Sequence, residues 1–209
     1  MTHGLEGAEH FMTRVYVRLL LFGLSIFLLG GGSSCYAKEI ESNFENRAYL
    51  WATQCRDEIV QQFEVLMASG QLREGQLFDT FYVPIPNTKP QKFHTQYDRH
   101  ADEVIRPILD RFLAKDPRLI FVVLSDLNGY VPTHNTRFSQ PMTGNPEVDL
   151  LQNRSKRIAI YRTGLNAAKS TEDYLLQQYT RDTGHKMMDL SVPIFIGRRH
   201  WGAVRIGFE

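Results

Sequence analysis

The chain has 209 residues, 43% of them apolar, enough for one globular core with extensions. Its 24 lysines and arginines balance 23 aspartates and glutamates to a net charge of +1, with no basic stripe, so no nucleic-acid partner is expected. No internal repeat or long low-complexity tract interrupts it.

The first 37 residues read as a targeting segment. Arg14 and Arg18 precede an apolar run from Leu19 to Leu29, followed by Gly30 to Ser34, Cys35, Tyr36 and Ala37. A basic start, a short apolar core and small residues make a secretory signal, and Met12 opens a more typical basic region than Met1. The apolar core is shorter than the roughly 20 residues of a stable span. Three outcomes stay open: cleavage after Ala37 as a signal peptide, lipidation at Cys35, or retention as a signal anchor. Each places the rest of the chain in an extracytoplasmic or periplasmic setting, secreted or anchored. After cleavage Cys55 would be the one cysteine left, without a disulfide partner.

From Lys38 to about Gly70 the pattern predicts a long amphipathic helix. Ile40, Phe44, Ala48, Trp51, Cys55, Ile59, Phe63 and Leu66 recur at helical spacing, and Ser69-Gly70 stops it. At 1.5 Å per residue it would be roughly 45 Å long, so its N-terminal half is expected to project beyond the core, towards a membrane or a second copy. Residues 71–209 then form the globular domain. Residues 81–90 (FYVPIPNTKP) carry three prolines and are expected to be loop. A second helix is predicted from Phe93 to Ala114, kinked at Pro107 and ended by Asp116-Pro117.

Arg118 to Asn135 reads RLIFVVLSDLNGYVPTHN: an apolar strand, a tight turn at Asp126-Leu127-Asn128-Gly129, and a second extended piece. Pro132 cannot join a ladder, so that piece is an edge strand or soon leaves the sheet. Asp126, Asn128, Tyr130 and His134 would share one rim. A second hairpin closes the chain, with Leu190–Ile196 and His200–Phe208 flanking a turn at Gly197-Arg198-Arg199. Strict alternation would place His200, Gly202, Val204, Ile206 and Phe208 on one face, and Trp201, Ala203, Arg205 and Gly207 on the other. Two hairpins with helices before and between them describe an α+β domain, an antiparallel sheet flanked by helices.

Between the hairpins lie Asn153–Arg157 (NRSKR), Arg162 and Gln177–Gly184 (QQYTRDTG). Such clusters are either solvated faces or ligand clamps. Arg154 and Arg157, three apart, would share a face if helical and could hold one anion. Arg181-Asp182 beside Tyr179 is equally compatible with a structural ion pair. No His-x-x-x-His or Cys-x-x-Cys pair offers a metal site, and no nucleophile elbow accompanies the histidines. Catalytic residues, metal and cofactor are therefore not expected, nor an enzyme.

DLNGYVPTHN (126–135), NRSKR (153–157), QYTRDTG (178–184) and RHWGAVRIGF (199–208), in this order, resemble the extracytoplasmic Cache-type sensor domain of methyl-accepting chemotaxis receptors. The resemblance covers about residues 40–208. It implies a PAS-like single domain with a small-molecule pocket on one face of the sheet. The motif positions it nominates for ligand binding are Asp126, Asn128, Tyr130, His134, Arg154, Arg157, Tyr179, Arg181, Asp182, His200 and Trp201. Arg154, Arg157 and Arg181 would pair the charge of a small polar or anionic metabolite, and Trp201 would supply a wall. The sequence ends at Glu209, where such receptors enter their second span, so a signalling domain of its own is not expected. Tyr161 and His185 stand where the family has acidic residues. The rival expectation is a non-binding scaffold that partners a separate membrane receptor, or itself, through the long helix.

Overall fold

The computed structural model describes residues 32–180 and 186–209. Helix α1 (Gly32–Ala68) buries one stripe, formed by Phe44, Ala48, Ala52, Cys55, Ile59, Phe63 and Leu66. These follow three- and four-residue steps, so they fall on one side of a helix. The helix closes where Ser69 N–H donates to Val65 O (2.9 Å) and Leu72 N–H donates to Leu66 O (3.1 Å). The stripe is buried from Phe44 onward, against the expectation that the N-terminal half projects. The reason is length: strands of 10 and 11 residues reach about 35 Å, which matches the roughly 33 Å from Phe44 to Leu66.

After α2 (Glu74–Leu77), the proline-rich segment is not all loop. Strand β1 (Val83–Ile85) pairs antiparallel with β2 (Lys92–His94), Pro84 facing Phe93. A two-stranded ribbon leaves edges where a missing N–H is tolerated. Thr88 ties its turn by donating to Ile85 O (2.8 Å) and accepting from Lys92 N–H (3.0 Å). Because Phe93 is spent in β2, the second helix starts later than expected, as α3 (Asp98–His100), a π-turn (Ala101–Ile105) and α4 (Arg106–Leu113). Pro107 falls in the first turn of α4, directly after the π-turn, where its ring and absent N–H are accommodated.

Strand β3 (Leu119–Asp126) ends in the expected turn, Gly129 N–H donating to Asp126 O (2.9 Å). Gly129 has φ +79, and a Cβ there would lie 2.7 Å from Ala159 O, so only glycine fits. The next strand, β4 (Tyr130–Val131), does not return along β3 as a hairpin. It leaves the sheet and pairs with β5 (Arg157–Ile158), beyond α5 (Pro146–Gln152). Asp126 causes the departure, because its Oδ1 accepts both the Asn128 and Tyr130 N–H groups (2.9 Å each) and turns the chain away.

Helix α6 (Arg162–Lys169) leads into β6 (Leu175–Thr180), β7 (Lys186–Ile196) and β8 (Arg199–Phe208). The sheet has the order β3-β8-β7-β6 and is antiparallel throughout. The fold is α+β, with α1 on one face of an antiparallel sheet.

The register of β7 and β8 shifts by one between Ile194 and Phe195. The shift overturns strict alternation at the start of β8. Trp201 joins Val204, Ile206 and Phe208 in the core, against Phe63 (ring centroids 5.5 Å), while His200 stacks on Phe195 across the ladder (5.0 Å). Gly202 at the bulge approaches so closely that a Cβ would meet Ser125 O at 2.0 Å.

Residues Ile40–Glu209 form one compact unit, so no boundary at residue 70 separates helix from domain. The expected targeting segment lies outside the described residues except for Gly32–Ala37, which are helical. Among the described residues no helix is long and apolar enough to cross a membrane.

Candidate functional site

The sheet face turned away from α1 carries Phe121 and Val123 from β3, Arg205 from β8 and Tyr179 from β6. The chain from Val131 to Tyr161 lies opposite, and between them is a cavity of about 340 Å³. From that side His134, Leu150, Arg154, Arg157, Ile158, Ile160 and Tyr161 line it, with Pro90 and Gln91 at its edge. Among the described residues no aspartate or glutamate lines it.

His134 is placed by its neighbour. Asn135 Oδ1 accepts the N–H of Val122 (2.8 Å), which pins the Thr133-His134-Asn135 stretch against β3 although β4 has left the sheet. The His134 ring lies edge-on to Phe138 (4.9 Å) and Phe121 (6.1 Å). The Asn135 N–H donates to its Nδ1 (2.8 Å), which leaves the ring proton on Nε2. Burial, reinforced by Arg154, Arg205, Arg137 and Arg157, holds its pKa well below the ordinary 6.5, so the ring is neutral at pH 7.

Arg154 and Arg157 do not share a helix. α5 is begun by Asn145, whose side chain accepts the Glu147 and Val148 N–H groups, and it ends at Gln152. Arg157 Nη2 reaches back to cap it, donating to Asp149 O (2.8 Å), Leu150 O (3.1 Å) and Asn153 O. Its Nε is buried without a partner. Burial, then the charge of Arg154, pulls the Arg157 pKa down to about 10.

Two lysines brace this loop. The buried Lys92 Nζ donates to Asn153 Oδ1 and Ser155 O. Burial and the charges of Arg157 and Lys156 bring its pKa down to about 7. Lys156, at φ 60, turns its ammonium away to Asp102 (2.7 Å) and Asp98 (3.3 Å).

Arg205 forms the floor. It pairs with Asp189 of β7, and both side chains are buried. Burial opposes its charge, but Asp189 and Tyr161 outweigh that and raise its pKa. Its guanidinium lies 5.8 Å from the Phe121 ring centroid and 5.9 Å from that of Tyr161.

Of the residues nominated from the sequence, His134, Arg154, Arg157 and Tyr179 therefore line one cavity. Asp126, Asn128, Tyr130, His200 and Trp201 do not. Asp126 is a buried structural node: besides the two N–H groups of its turn, its Oδ2 accepts from Tyr82 Oη (2.6 Å) and Tyr97 Oη (2.9 Å). Burial raises its pKa despite those four hydrogen bonds. Asn128 Nδ2 donates to Tyr82 Oη (2.8 Å), and Tyr130 packs on Tyr82 and donates to Phe93 O (2.9 Å). Trp201 Nε1 donates to Leu77 O (2.9 Å). Asp126, Asn128 and Trp201 do share a crevice, but at about 30 Å³ it has the volume of roughly one water. His200 hydrogen-bonds Gly202 O (2.8 Å). Arg181 and Asp182 lie outside the described residues.

Sequence reasoning missed Phe121, Tyr161 and Arg205 as lining residues. Arg205 left a signal: a cation alternating with alanine and glycine in an apolar strand. Among the described residues no group of three His, Cys, Asp or Glu side chains could hold a metal ion. Cys55 is buried in the core, and burial pushes its thiol pKa up, which makes it a poor nucleophile.

No protein-family model matches the chain, and no curated protein matches its sequence. Among solved structures it is similar to an extracellular ligand-binding receptor from Desulfohalobium retbaense DSM5692, at 14% sequence identity and a TM-score of 0.36. The alignment covers 77% of this chain and 24% of that one, so the chain spans about a quarter of that receptor's length.

Proposed function

We propose that the chain is an extracytoplasmic small-molecule sensing domain of the PAS-like Cache type, and that its cavity takes a small anionic metabolite. One observation carries the reading: among the described residues, a cavity of about 340 Å³ is lined by three arginines and a neutral histidine, with no lining carboxylate. Its Arg157 Nε is a buried donor still lacking an acceptor. A buried unpaired donor costs free energy that an anion would recover. The extracytoplasmic setting rests on the basic-then-apolar N-terminal segment, and the Cache reading on the four ordered motifs.

β8 offers a physical route for a signal. Arg205 faces the cavity, while Val204 and Ile206 on the same strand pack in the core shared with α1. Ligand that draws on Arg205 would bias how α1 sits on the sheet, and a separate membrane partner would read the change. The experiment is a thermal-shift and calorimetric screen of the full chain against organic acids, amino acids and phosphate. An anion should raise the melting temperature, and Arg154→Ala should weaken its binding about tenfold or more. Arg154 is the cleaner probe, because Arg157 also caps α5.

The rival, a dimerising scaffold, rests on Leu50 and Val65, which stand 55% and 52% exposed on α1. Concentration-dependent dimerisation with no ligand-induced shift would favour it.

A further inference from the structure

We infer that the cavity selects an organic monocarboxylate with an apolar body and no ammonium group, an inference that rests on the anion-binding reading above. The charges around the cavity are one-sided. Among the described residues Arg154, Arg157 and Arg205 line it without a carboxylate, and Asp189 and Asp149, which act on Arg205 and Arg157, are already committed. Asp189 is paired with Arg205. Asp149 accepts the Thr143 N–H (2.7 Å), the Thr143 hydroxyl (2.8 Å) and the Gly144 N–H (3.1 Å).

An α-amino acid would therefore satisfy its carboxylate but set its ammonium among guanidinium groups, with no acid among the described lining residues to receive it. A cation set unpaired among like charges is disfavoured. The same reasoning excludes amines.

The cations also gather around His134, since Arg154 lies 5.6 Å from the Phe138 ring and Arg205 5.8 Å from the Phe121 ring, the two rings that flank His134. Six of the other lining residues, Val123, Val131, Leu150, Ile158, Ala159 and Ile160, have no side-chain donor, whereas Gln91, His134, Tyr161 and Tyr179 do. A second carboxylate set against the six would lie unpaired. An aliphatic or aromatic body would bury its apolar surface there instead. At about 340 Å³ the cavity has the liquid volume of roughly eleven waters, ample for a phenylpropanoate-sized acid.

The test uses matched probes on the full chain: 3-phenylpropanoate, pentanoate, phenylalanine, 2-phenylethylamine, succinate and inorganic phosphate. Binding is read by calorimetry, with Arg154→Ala beside the unaltered protein and the urea midpoint of each measured to show that both are folded. The expected result is binding of 3-phenylpropanoate or pentanoate at least tenfold tighter than phenylalanine, succinate and phosphate, no binding of the amine, and a tenfold or greater loss in Arg154→Ala. If phenylalanine binds as tightly as its deamino analogue, the exclusion of ammonium is wrong. If succinate or phosphate binds tightest, the apolar body is wrong. In both cases sensitivity to Arg154→Ala would leave the anion site standing. Binding of none of the probes, or binding indifferent to Arg154→Ala, would bring down this inference and the anion-binding reading together.

Discussion

The two faces of the sheet are both buried, yet they are made of different chemistry. Towards α1 stand Val122, Leu124, Leu190, Val192, Ile194, Val204 and Ile206, a continuous apolar surface. On the opposite face the same strands present Phe121, Val123 and Arg205 to the cavity, and alternation puts the buried Asp189 and Ser191 on that face too. The first face is held by burial that any well-fitting hydrophobe supplies. On the second, stability depends on a fixed ion pair, and the remaining cations can be spent on a ligand. The contrast separates residues that keep the fold from residues that give it a use.

The harshest way to break that contrast is to unpair the buried charges. Arg205→Leu leaves Asp189 buried alone and should cost about 3–5 kcal/mol by urea denaturation, while adding Asp189→Leu should recover much of it. If the single variant cost less than 1 kcal/mol, Asp189 would not depend on Arg205. On the opposite face Ile59→Ala should cost about 2–5 kcal/mol through the cavity it leaves under α1, with no specific effect on anion binding by the remaining folded protein. Asn135→Ala strips the acceptor from the Val122 N–H and should cost about 1–3 kcal/mol. Since Asn135 also fixes His134, weaker anion binding should accompany that loss.

Acid offers a gentler probe of the same difference. Folded His134 stays neutral below its ordinary pKa of 6.5, whereas the unfolded chain takes up the proton there. Protons then bind more to the unfolded state, so stability should fall as pH drops through about 6.5. A stability–pH curve with a shallower slope in His134→Gln would assign the effect, and identical slopes would dismiss it. The smallest effect on stability is expected from Arg154→Ala, within about 0.5 kcal/mol, because its one strong role is proposed to be the ligand. A large loss of stability in this variant would make Arg154 part of the scaffold instead.

Local patterns made much of the fold legible. The spacing from Phe44 to Leu66 announced α1, the apolar run at Leu119–Asp126 announced β3, and Gly197 announced the closing turn. The site was legible only in part. His134, Arg154, Arg157 and Tyr179 were nominated and do meet, but Asp126, Tyr130 and Trp201 were grouped with them and pack elsewhere. Their polarity was read as availability, whereas Asp126 spends its acceptors on its own turn and on Tyr82 and Tyr97.

What the sequence by itself determined is whatever neighbouring residues settle among themselves: helix stripe, strand runs and glycine-dependent turns, each set by backbone sterics and short periodicity. The tertiary structure alone decided that β4 pairs with β5, that a one-residue shift opposite Phe195 sends Trp201 to the core, and that Arg205 meets Arg154 and Arg157. Those outcomes depend on contacts between distant segments. Because a strand alternates every residue, a single unpaired position there exchanges one face for the other, and no local pattern records it.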